Sequence, residues 1–206
     1  SKSENHEKAH YYLMKAGDVA TQLYAYDEAR KNYARALEAL TQLPDTETKY
    51  KRKVDGLIKQ VIVSWRAQPL EQNLELLDEA ERLEKELPGP GGKPGGDRHR
   101  LTRIHYWMGR AHYIANKLPE AMEYFQQVLE VAEELDDPEL LAIHFMTIGS
   151  IKLVQGHLDT AKALLIRAIP LLEQMGNWPE WIRALGFHSM ALAMSGAFQV
   201  VQVHLA

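Results

Sequence analysis

The residues best placed by type and spacing to do chemistry lie in the pentapeptide HEKAH, which runs from His6 to His10. It matches the H-E-x-x-H pattern of zinc peptidases, in which two histidines one helical turn apart share a metal and the glutamate acts as general base on the bound water. A catalytic zinc also needs a third protein ligand, and in the extended motif a glycine follows three residues after the second histidine, where this chain has Leu13. We therefore expect no metal site here. Zinc hydrolysis is the third functional hypothesis, after the two given at the end of this section. It predicts bound zinc that is lost on His10→Ala.

Other catalytic arrangements are also missing from the sequence. His99, His105 and His112 are six and seven residues apart, which does not place two side chains on adjacent helical turns as a chelating pair requires. The chain has no cysteine, so it has neither a thiolate nucleophile nor a disulfide. It contains no G-x-S-x-G nucleophile turn and no G-x-x-x-x-G-K-[ST] phosphate loop. We predict that the protein is not an enzyme and has no cofactor.

Composition limits the class of partner. The chain has 206 residues, of which 46% are hydrophobic and 25% charged, enough to bury a sizeable core. A net charge of -4 gives no overall attraction to nucleic acid or to an anionic membrane. The chain has no apolar run of about 18–20 residues and no signal-peptide core. We expect no nucleic-acid or membrane partner and a cytoplasmic location, for which a bacterial-type cytosol is compatible with the lack of cysteine.

Internal repetition organises the whole chain. Gly109 and Gly149 stand 40 residues apart, and so do Ala121 and Ala161. Within each repeat the apolar residues recur at helical spacing in two blocks, separated by short polar or glycine-bearing turns such as Gln155-Gly156-His157. The spacing predicts an all-α chain in which each unit is a pair of helices, with a small residue where the two backbones approach.

The repeated positions resemble those of the tetratricopeptide repeat (TPR) family. The shared feature is a small residue in the first helix, followed in the second helix by an alanine, a large apolar residue and another small one. Three units carry it: Gly17, Ala29, Tyr33 and Ala36; Gly109, Ala121, Phe125 and Val128; and Gly149, Ala161, Leu165 and Ala168. The resemblance implies a right-handed α-solenoid of antiparallel helix pairs with about four to five repeats. Units of about 40 residues rather than 34 are similar to those of bacterial signalling ATPases, nucleotide cyclases and maltose-regulator-type transcription activators.

We predict one solenoid domain over residues 1–206. Its repeats are expected at about 8–46, 50–87, 101–136, 139–176 and 179–206. The second repeat is degenerate, because Val61 replaces the glycine and Asn73 the first alanine, and it leads into a flexible Gly/Pro loop at 88–98. The last repeat is expected to be truncated, so we predict a piece of a longer protein. In isolation, the apolar surface exposed at this C-terminal end is expected to allow self-association as a consequence of the cut.

The resemblance also implies a concave groove lined by the first helices, at positions six and three before each small residue and one and four after it. Residues at these positions, or beside them, form the predicted partner-binding groove: Arg103, Tyr106, Arg110, Tyr113, Met146, Ser150, Leu153, Arg183, Phe187 and Met190. In the first repeat the same positions are Tyr11, Met14, Asp18 and Thr21, which lack the lysine and asparagine of the carboxylate clamp in chaperone-binding TPR proteins.

Arginine forks onto carboxylates while tyrosine and methionine supply contact area, so this groove suits a peptide or helix with acidic and hydrophobic residues. The alternative that these residues are buried between helices or paired with neighbouring glutamates stays open. The leading hypothesis is a protein- or peptide-binding scaffold or adaptor module within a larger regulatory protein. The second is a sensory domain that binds a small molecule or signal peptide and regulates an attached ATPase, cyclase or transcription factor.

Overall fold

A computed structural model describes residues 2–64 and 67–196, apart from the side chain of Lys2. Within these ranges the chain forms nine α-helices, one short 3-10 turn at Pro90–Gly92 and no strand, which confirms the all-α prediction. The helices are α1 (Lys2–Gln22), α2 (Tyr26–Thr41), α3 (Glu47–Ser64), α4 (Leu70–Glu86), α5 (Arg98–Ile114), α6 (Leu118–Leu135), α7 (Pro138–Val154), α8 (Leu158–Gln174) and α9 (Trp178–Met194). None of these described helices is long and apolar enough to span a bilayer.

The chain divides into two compact units, Ser1–Tyr124 and Phe125–Ala206, with the boundary inside α6. In the first unit each of the helices α1 to α4 packs on the following helix, and α3 also contacts α5. In the second unit α7 packs on α8 and α8 on α9, and α7 also contacts α9. Contacts between successive helices and between alternate helices are typical of stacked helix pairs. The single domain over 1–206 and its repeat bounds stay predictions.

The turns after the first helices share one backbone device. Seven residues beyond each small residue, or beyond its counterpart Ser189, the backbone adopts the left-handed conformation. The residues that do so are Tyr24 (φ 58°), Asn116 (φ 59°), Gly156 (φ 79°) and Gly196 (φ 81°). Wherever the following residue is described, its amide donates to the carbonyl five residues back at 2.9 Å, closing the helix end in a Schellman motif. These turns reverse the chain at the same point of each repeat, as the 40-residue spacing predicts.

Helix starts are fixed by acidic caps in two places. The Asp137 carboxylate accepts hydrogen bonds from the amides of Glu139 and Leu140 at 2.9 and 3.0 Å, with Pro138 in the first helical turn. Asp97 caps α5 by accepting from the Arg100 amide at 3.1 Å. Asn177, the residue before α9, differs from these two aspartates because its side chain makes no capping hydrogen bond.

The small residues lie where helices are in close contact. A Cβ atom on Gly149 would lie 2.8 Å from Cγ of Leu165, a side chain that is fully buried. A Cβ on Gly17 would overlap the ring of Tyr33, which is 2% exposed. Any side chain at either position would push apart the two helices of its pair.

The degenerate second repeat packs closely despite its departures. Val61, Leu77 and Ala80 are fully buried in one cluster of the first unit. Asn73, which replaces an alanine, is 1% exposed, and its Nδ2 donates to two backbone carbonyls, at 3.2 Å each, in the turn before α4. Val61 and Asn73 therefore both remain buried at their repeat positions, the valine through apolar packing and the asparagine through hydrogen bonds to the backbone.

The Gly/Pro loop is tied to the helices at both ends. The Glu84 side chain is fully buried, its Oε1 accepts from the Asp97 amide at 2.8 Å, and its Oε2 lies 3.3 Å from Nε of Arg100. The Gly96 amide donates to the Leu87 carbonyl at 3.0 Å. Residues 90–95 between these anchors are exposed. The loop's expected mobility stays a prediction.

Candidate functional site

A cleft of about 470 Å³ opens in the first unit. Its wall is formed by α1, α3 and α5, which are the first helices of the first three pairs. We call it the N-terminal cleft and define it by its lining residues: His10, Tyr11, Met14, Arg52, Asp55, Ile58, Lys59 and Arg103. The structure therefore brings predicted groove residues of the first and third repeats, Tyr11, Met14 and Arg103, to one surface.

The repeat register explains why these side chains meet. Tyr11 and Met14 stand six and three residues before Gly17, and Arg103 stands six before Gly109. Applied to Val61 of the degenerate repeat, the same offsets give Asp55 and Ile58, both of which line the cleft. Equivalent positions on stacked first helices face the same way because each pair repeats the geometry of the last.

Most charges of the cleft already have a partner. Lys59 Nζ donates to Asp18 Oδ1 at 2.5 Å, and Asp55 Oδ1 lies 3.3 Å from Nη1 of Arg100. Arg52 Nη1 is 3.7 Å from Oε1 of Glu7, a long contact between exposed groups. Arg103 differs from the other three, because it makes no hydrogen bond or ion pair within the described part of the chain.

The HEKAH motif contributes one wall residue and no metal site. His10 is 6% exposed and its Nδ1 is 3.0 Å from the Ala36 carbonyl, so one ring nitrogen is used in packing α1 on α2. Burial lowers the pKa of His10, the hydrogen bond to Ala36 opposes this, and the Arg52 charge adds to the lowering. Glu7 points to Arg52. Among the residues that the structure describes, no three histidine or carboxylate side chains are grouped as a metal ion would require.

The other predicted groove residues of α5 are involved in packing. Tyr106 is 6% exposed and its ring meets Trp107 edge-on at 5.4 Å between centroids. Arg110 Nη1 donates to the Tyr106 hydroxyl at 3.4 Å. Tyr113 is partly exposed. Only Arg103 of this set lines the N-terminal cleft.

The predicted residues of the second unit fall into a buried and an exposed group. Met146 and Leu153 are each 3% exposed within apolar clusters, and Ser150 donates its hydroxyl to the Thr147 carbonyl at 2.8 Å. Phe187, on α9, is partly buried beside Leu153. The exposed group consists of two α9 residues, Met190 at 53% exposure and Arg183, whose Nη1 pairs with Glu180 at 2.9 Å.

Sequence reasoning missed four cleft residues of the second pair. Asp55 and Ile58 could have been found by counting from Val61, but the missing glycine concealed the register. Arg52 and Lys59 lie one helical turn before and after Asp55, so they share its face of α3. His10 was noticed only for its motif.

A network of charged side chains, of which only Glu84 is fully buried, connects the cleft with the Gly/Pro loop. Arg100 contacts Glu84 through Nε and Asp55 through Nη1, at 3.3 Å in both cases. Burial raises the pKa of Glu84, while its bond from the Asp97 amide and the Arg100 charge oppose the rise. Arg100 is thereby held in place and neutralises the one carboxylate that lines the cleft.

Comparison with known proteins identifies the fold. No protein-family model matches the sequence, and no curated protein matches it. Among solved structures, a Rap protein complexed with Competence and Sporulation Factor superposes with a TM-score of 0.77 at 16% identity, covering 95% of this chain and 52% of the Rap chain. The apo quorum sensor NprR from B. thuringiensis gives a TM-score of 0.68 at 10% identity over 97% of this chain and 52% of its own.

A third structural neighbour carries the repeat name. It is a kinesin light chain from Podosopora anserina with nearly identical TPR-like repeats, at a TM-score of 0.58 and 14% identity over 100% of this chain and 93% of its own. The chain therefore has the TPR-like helical-repeat fold, as the spacing of its small residues predicts. It spans about half the length of the Rap and NprR chains.

Proposed function

We propose that this chain is a non-enzymatic binding module that docks a protein or peptide along its first helices, in a larger cytoplasmic regulatory protein. The observation that carries the proposal is the N-terminal cleft, an open site of about 470 Å³ built from three successive first helices. Clefts of about 300–1,000 Å³ are typical for drug-sized ligands, so this cleft has room for a few side chains of a bound segment.

The lining has the composition of a protein-binding surface. Tyr11 is 51% exposed and Met14 partly exposed, and they stand beside three cationic side chains, those of Arg52, Lys59 and Arg103. Tyrosine and arginine are enriched among the residues that dominate binding energies, and methionine adapts to varied partners. In α9 of the second unit, Met190 and Arg183 offer further accessible contacts. Tyr106 of the first unit and Met146 and Leu153 of the second are buried, so each would support the surface residues of its own unit from beneath.

The structural neighbours agree with a binding and regulatory role. The Rap structure is a complex with Competence and Sporulation Factor, and NprR is a quorum sensor. Since the likeness to both is structural, at 16% and 10% identity, their names suggest a class of function and no particular ligand.

The alternative is a sensory domain that binds a small molecule or signal peptide and controls an attached ATPase, cyclase or transcription factor. The size of the cleft supports this alternative, because a volume of about 470 Å³ is also sufficient for a metabolite. A metabolite sensor predicts a rise in melting temperature with one compound of a screen, whereas a docking module predicts none with small molecules and capture of a macromolecule.

The test is affinity capture from the host lysate followed by identification of the bound chains. The wild type is compared with a cleft variant, Tyr11→Ala with Arg52→Glu and Arg103→Glu, shown by circular dichroism to be folded. Arg82→Glu serves as a matched control, because Arg82 is an exposed α4 residue that pairs with Glu86 outside the cleft. We expect the wild type and Arg82→Glu to retain the same partner and the cleft variant to lose it. Equal capture by all three proteins would contradict docking in the cleft.

A further inference from the structure

We infer that the segment bound in the N-terminal cleft is an acidic peptide, with one carboxylate on Arg103 and a large apolar side chain on Tyr11 and Met14. This inference rests on the function proposed above and specifies the chemistry of its ligand. It depends on which charges of the cleft are already used and which are not.

Arg103 is the cation of the cleft that has no counter-ion. Lys59 is held by Asp18 at 2.5 Å, and Asp55 is neutralised by Arg100. Arg103 has no hydrogen bond or ion pair among the described residues, although its side chain is partly buried in the wall of the cleft. A guanidinium that has lost part of its hydration gains most from a ligand that returns charge-assisted hydrogen bonds, and a carboxylate accepts two of them side by side.

A second cation is available at low cost. Arg52 contacts Glu7 only at 3.7 Å, and both side chains are exposed, at 40% and 56%. An ion pair of this kind contributes little to stability, so an incoming carboxylate can draw Arg52 away from Glu7. The positive charge of Arg52 already acts inside the cleft, because it helps to lower the pKa of the neighbouring His10, after the larger effect of burial.

The balance of charge favours a single carboxylate over a phosphate. Of the three cleft cations, only Arg103 lacks a counter-ion among the residues that the structure describes, and Arg52 has a weak one. A phosphoryl group carries about −1.5 to −2 at neutral pH, which is more negative charge than Arg103 alone can balance. A carboxylate carries one charge, which matches the one uncompensated arginine.

The apolar wall determines what must stand next to the carboxylate. Tyr11 exposes half of its surface, Ile58 is buried behind the cleft at 3% exposure, and Met14 is partly exposed between them. Lys15 lies over the Tyr11 ring with Nζ 4.7 Å from its centroid and holds the ring from one side. An aromatic or long aliphatic side chain of the ligand fits against this wall because it covers exposed apolar surface.

The experiment uses a random hexapeptide array probed with the labelled chain. Spots that bind are resynthesised as fluorescein peptides, each with a copy in which Glu and Asp become Gln and Asn. We expect binding sequences to be enriched in Glu or Asp next to Phe, Tyr, Leu or Met. We expect the amide copies to bind about tenfold more weakly by fluorescence anisotropy, and the acidic peptides to weaken between 50 and 500 mM NaCl.

A charge reversal makes the assignment to Arg103 specific. Arg103→Glu should lose the acidic peptides by about tenfold or more and should bind copies in which the acidic residue is replaced by Lys. Arg82→Glu changes the net charge by the same amount outside the cleft and should leave both affinities unchanged. If Arg82→Glu weakens binding as much as Arg103→Glu, the effect is one of overall charge and the inference is wrong.

The outcomes separate this inference from the proposed function. Binding of neutral or basic peptides that is lost in the cleft variant would overturn the acidic ligand and keep the docking role. Binding of phosphopeptides over their Glu counterparts would overturn the charge argument alone. If no hexapeptide binds the wild type, the acidic-peptide inference fails, while capture of a folded partner in the lysate experiment would keep the wider proposal.

Discussion

Two glycine-to-alanine substitutions in the same unit should have clearly different effects on stability. Gly149 in α7 and Gly186 in α9 both lie inside helices, so alanine should gain roughly 1 kcal/mol of helix propensity at either site. At Gly186 nothing lies within 4 Å of the new Cβ, so the gain should be realised. At Gly149 the Cβ would lie 2.8 Å from Leu165 Cγ and 3.0 Å from its Cδ2. We expect this overlap to cost about 1–3 kcal/mol, so Gly149→Ala should be less stable than Gly186→Ala by that amount.

Urea unfolding followed by circular dichroism at 222 nm measures both variants against the wild type. The difference between the two variants is the decisive quantity, because the propensity gain is common to both. For a chain of this length about 1 kcal/mol corresponds to roughly 2–4 °C in melting temperature, which provides a second readout. The reasoning is refuted if Gly149→Ala is as stable as Gly186→Ala.

A double-mutant cycle with Leu165 tests whether contact with this side chain causes the destabilisation by Gly149→Ala. Leu165→Ala alone should cost about 2–5 kcal/mol, because this side chain is fully buried. In the Leu165→Ala background the clash at Gly149 no longer exists, so Gly149→Ala should become neutral or stabilising. If its cost stays the same in that background, close contact with Leu165 is not its origin.

Three further predictions concern a cap, a histidine and the loop. Asp137→Ala should cost about 0.5–2 kcal/mol in urea unfolding, because the α7 amides lose their cap at 2.9 and 3.0 Å, whereas Asp137→Asn should keep most of the stability. Burial lowers the pKa of His144 from 6.5 to about 4, so the stability it contributes is complete above pH 6.5 and is lost as the pH falls towards 4. Between pH 7 and pH 4.5 the loss should be about 2 kcal/mol and should be absent in His144→Gln, as the free energies of unfolding in urea at the two pH values would show. Glu84→Ala should speed cleavage of the Gly/Pro loop by proteinase K while Glu84→Gln, which keeps an acceptor for the Asp97 amide, does so less; equal rates in all three proteins would contradict the anchoring role.

The repeat positions made the fold predictable. Helical spacing and the 40-residue recurrence indicate helix pairs, and the small residues indicate where the pairs touch. The buried Gly149 beside Leu165 is an example. The turn at Gly156 was also expected from the sequence, and the structure gives this glycine a left-handed backbone (φ 79°).

The candidate site was predictable only in part. Tyr11, Met14 and Arg103 follow from counting along the repeat, and all three line the cleft. The same count cannot tell an exposed residue from a buried one on the same helix face, as Tyr106 at 6% exposure demonstrates. The exposure of a groove residue depends on the size of the side chains that pack against it from the next helix. The residue's own place in the repeat gives no information about those side chains.

The distance along the chain over which residues interact therefore separates what the sequence alone determined from what the tertiary structure decided. The sequence determined the helices, their turns and the face that each first helix presents, because these depend on residues within a few turns of one another. Tertiary structure decided which charges are available for a ligand. Asp55 is neutralised by Arg100, which lies 45 positions away, and Lys59 is held by Asp18 at a separation of 41. Within the described residues Arg103 has no ion pair or hydrogen bond, because the packing of the three helices sets no carboxylate against it, and no local pattern contains that information.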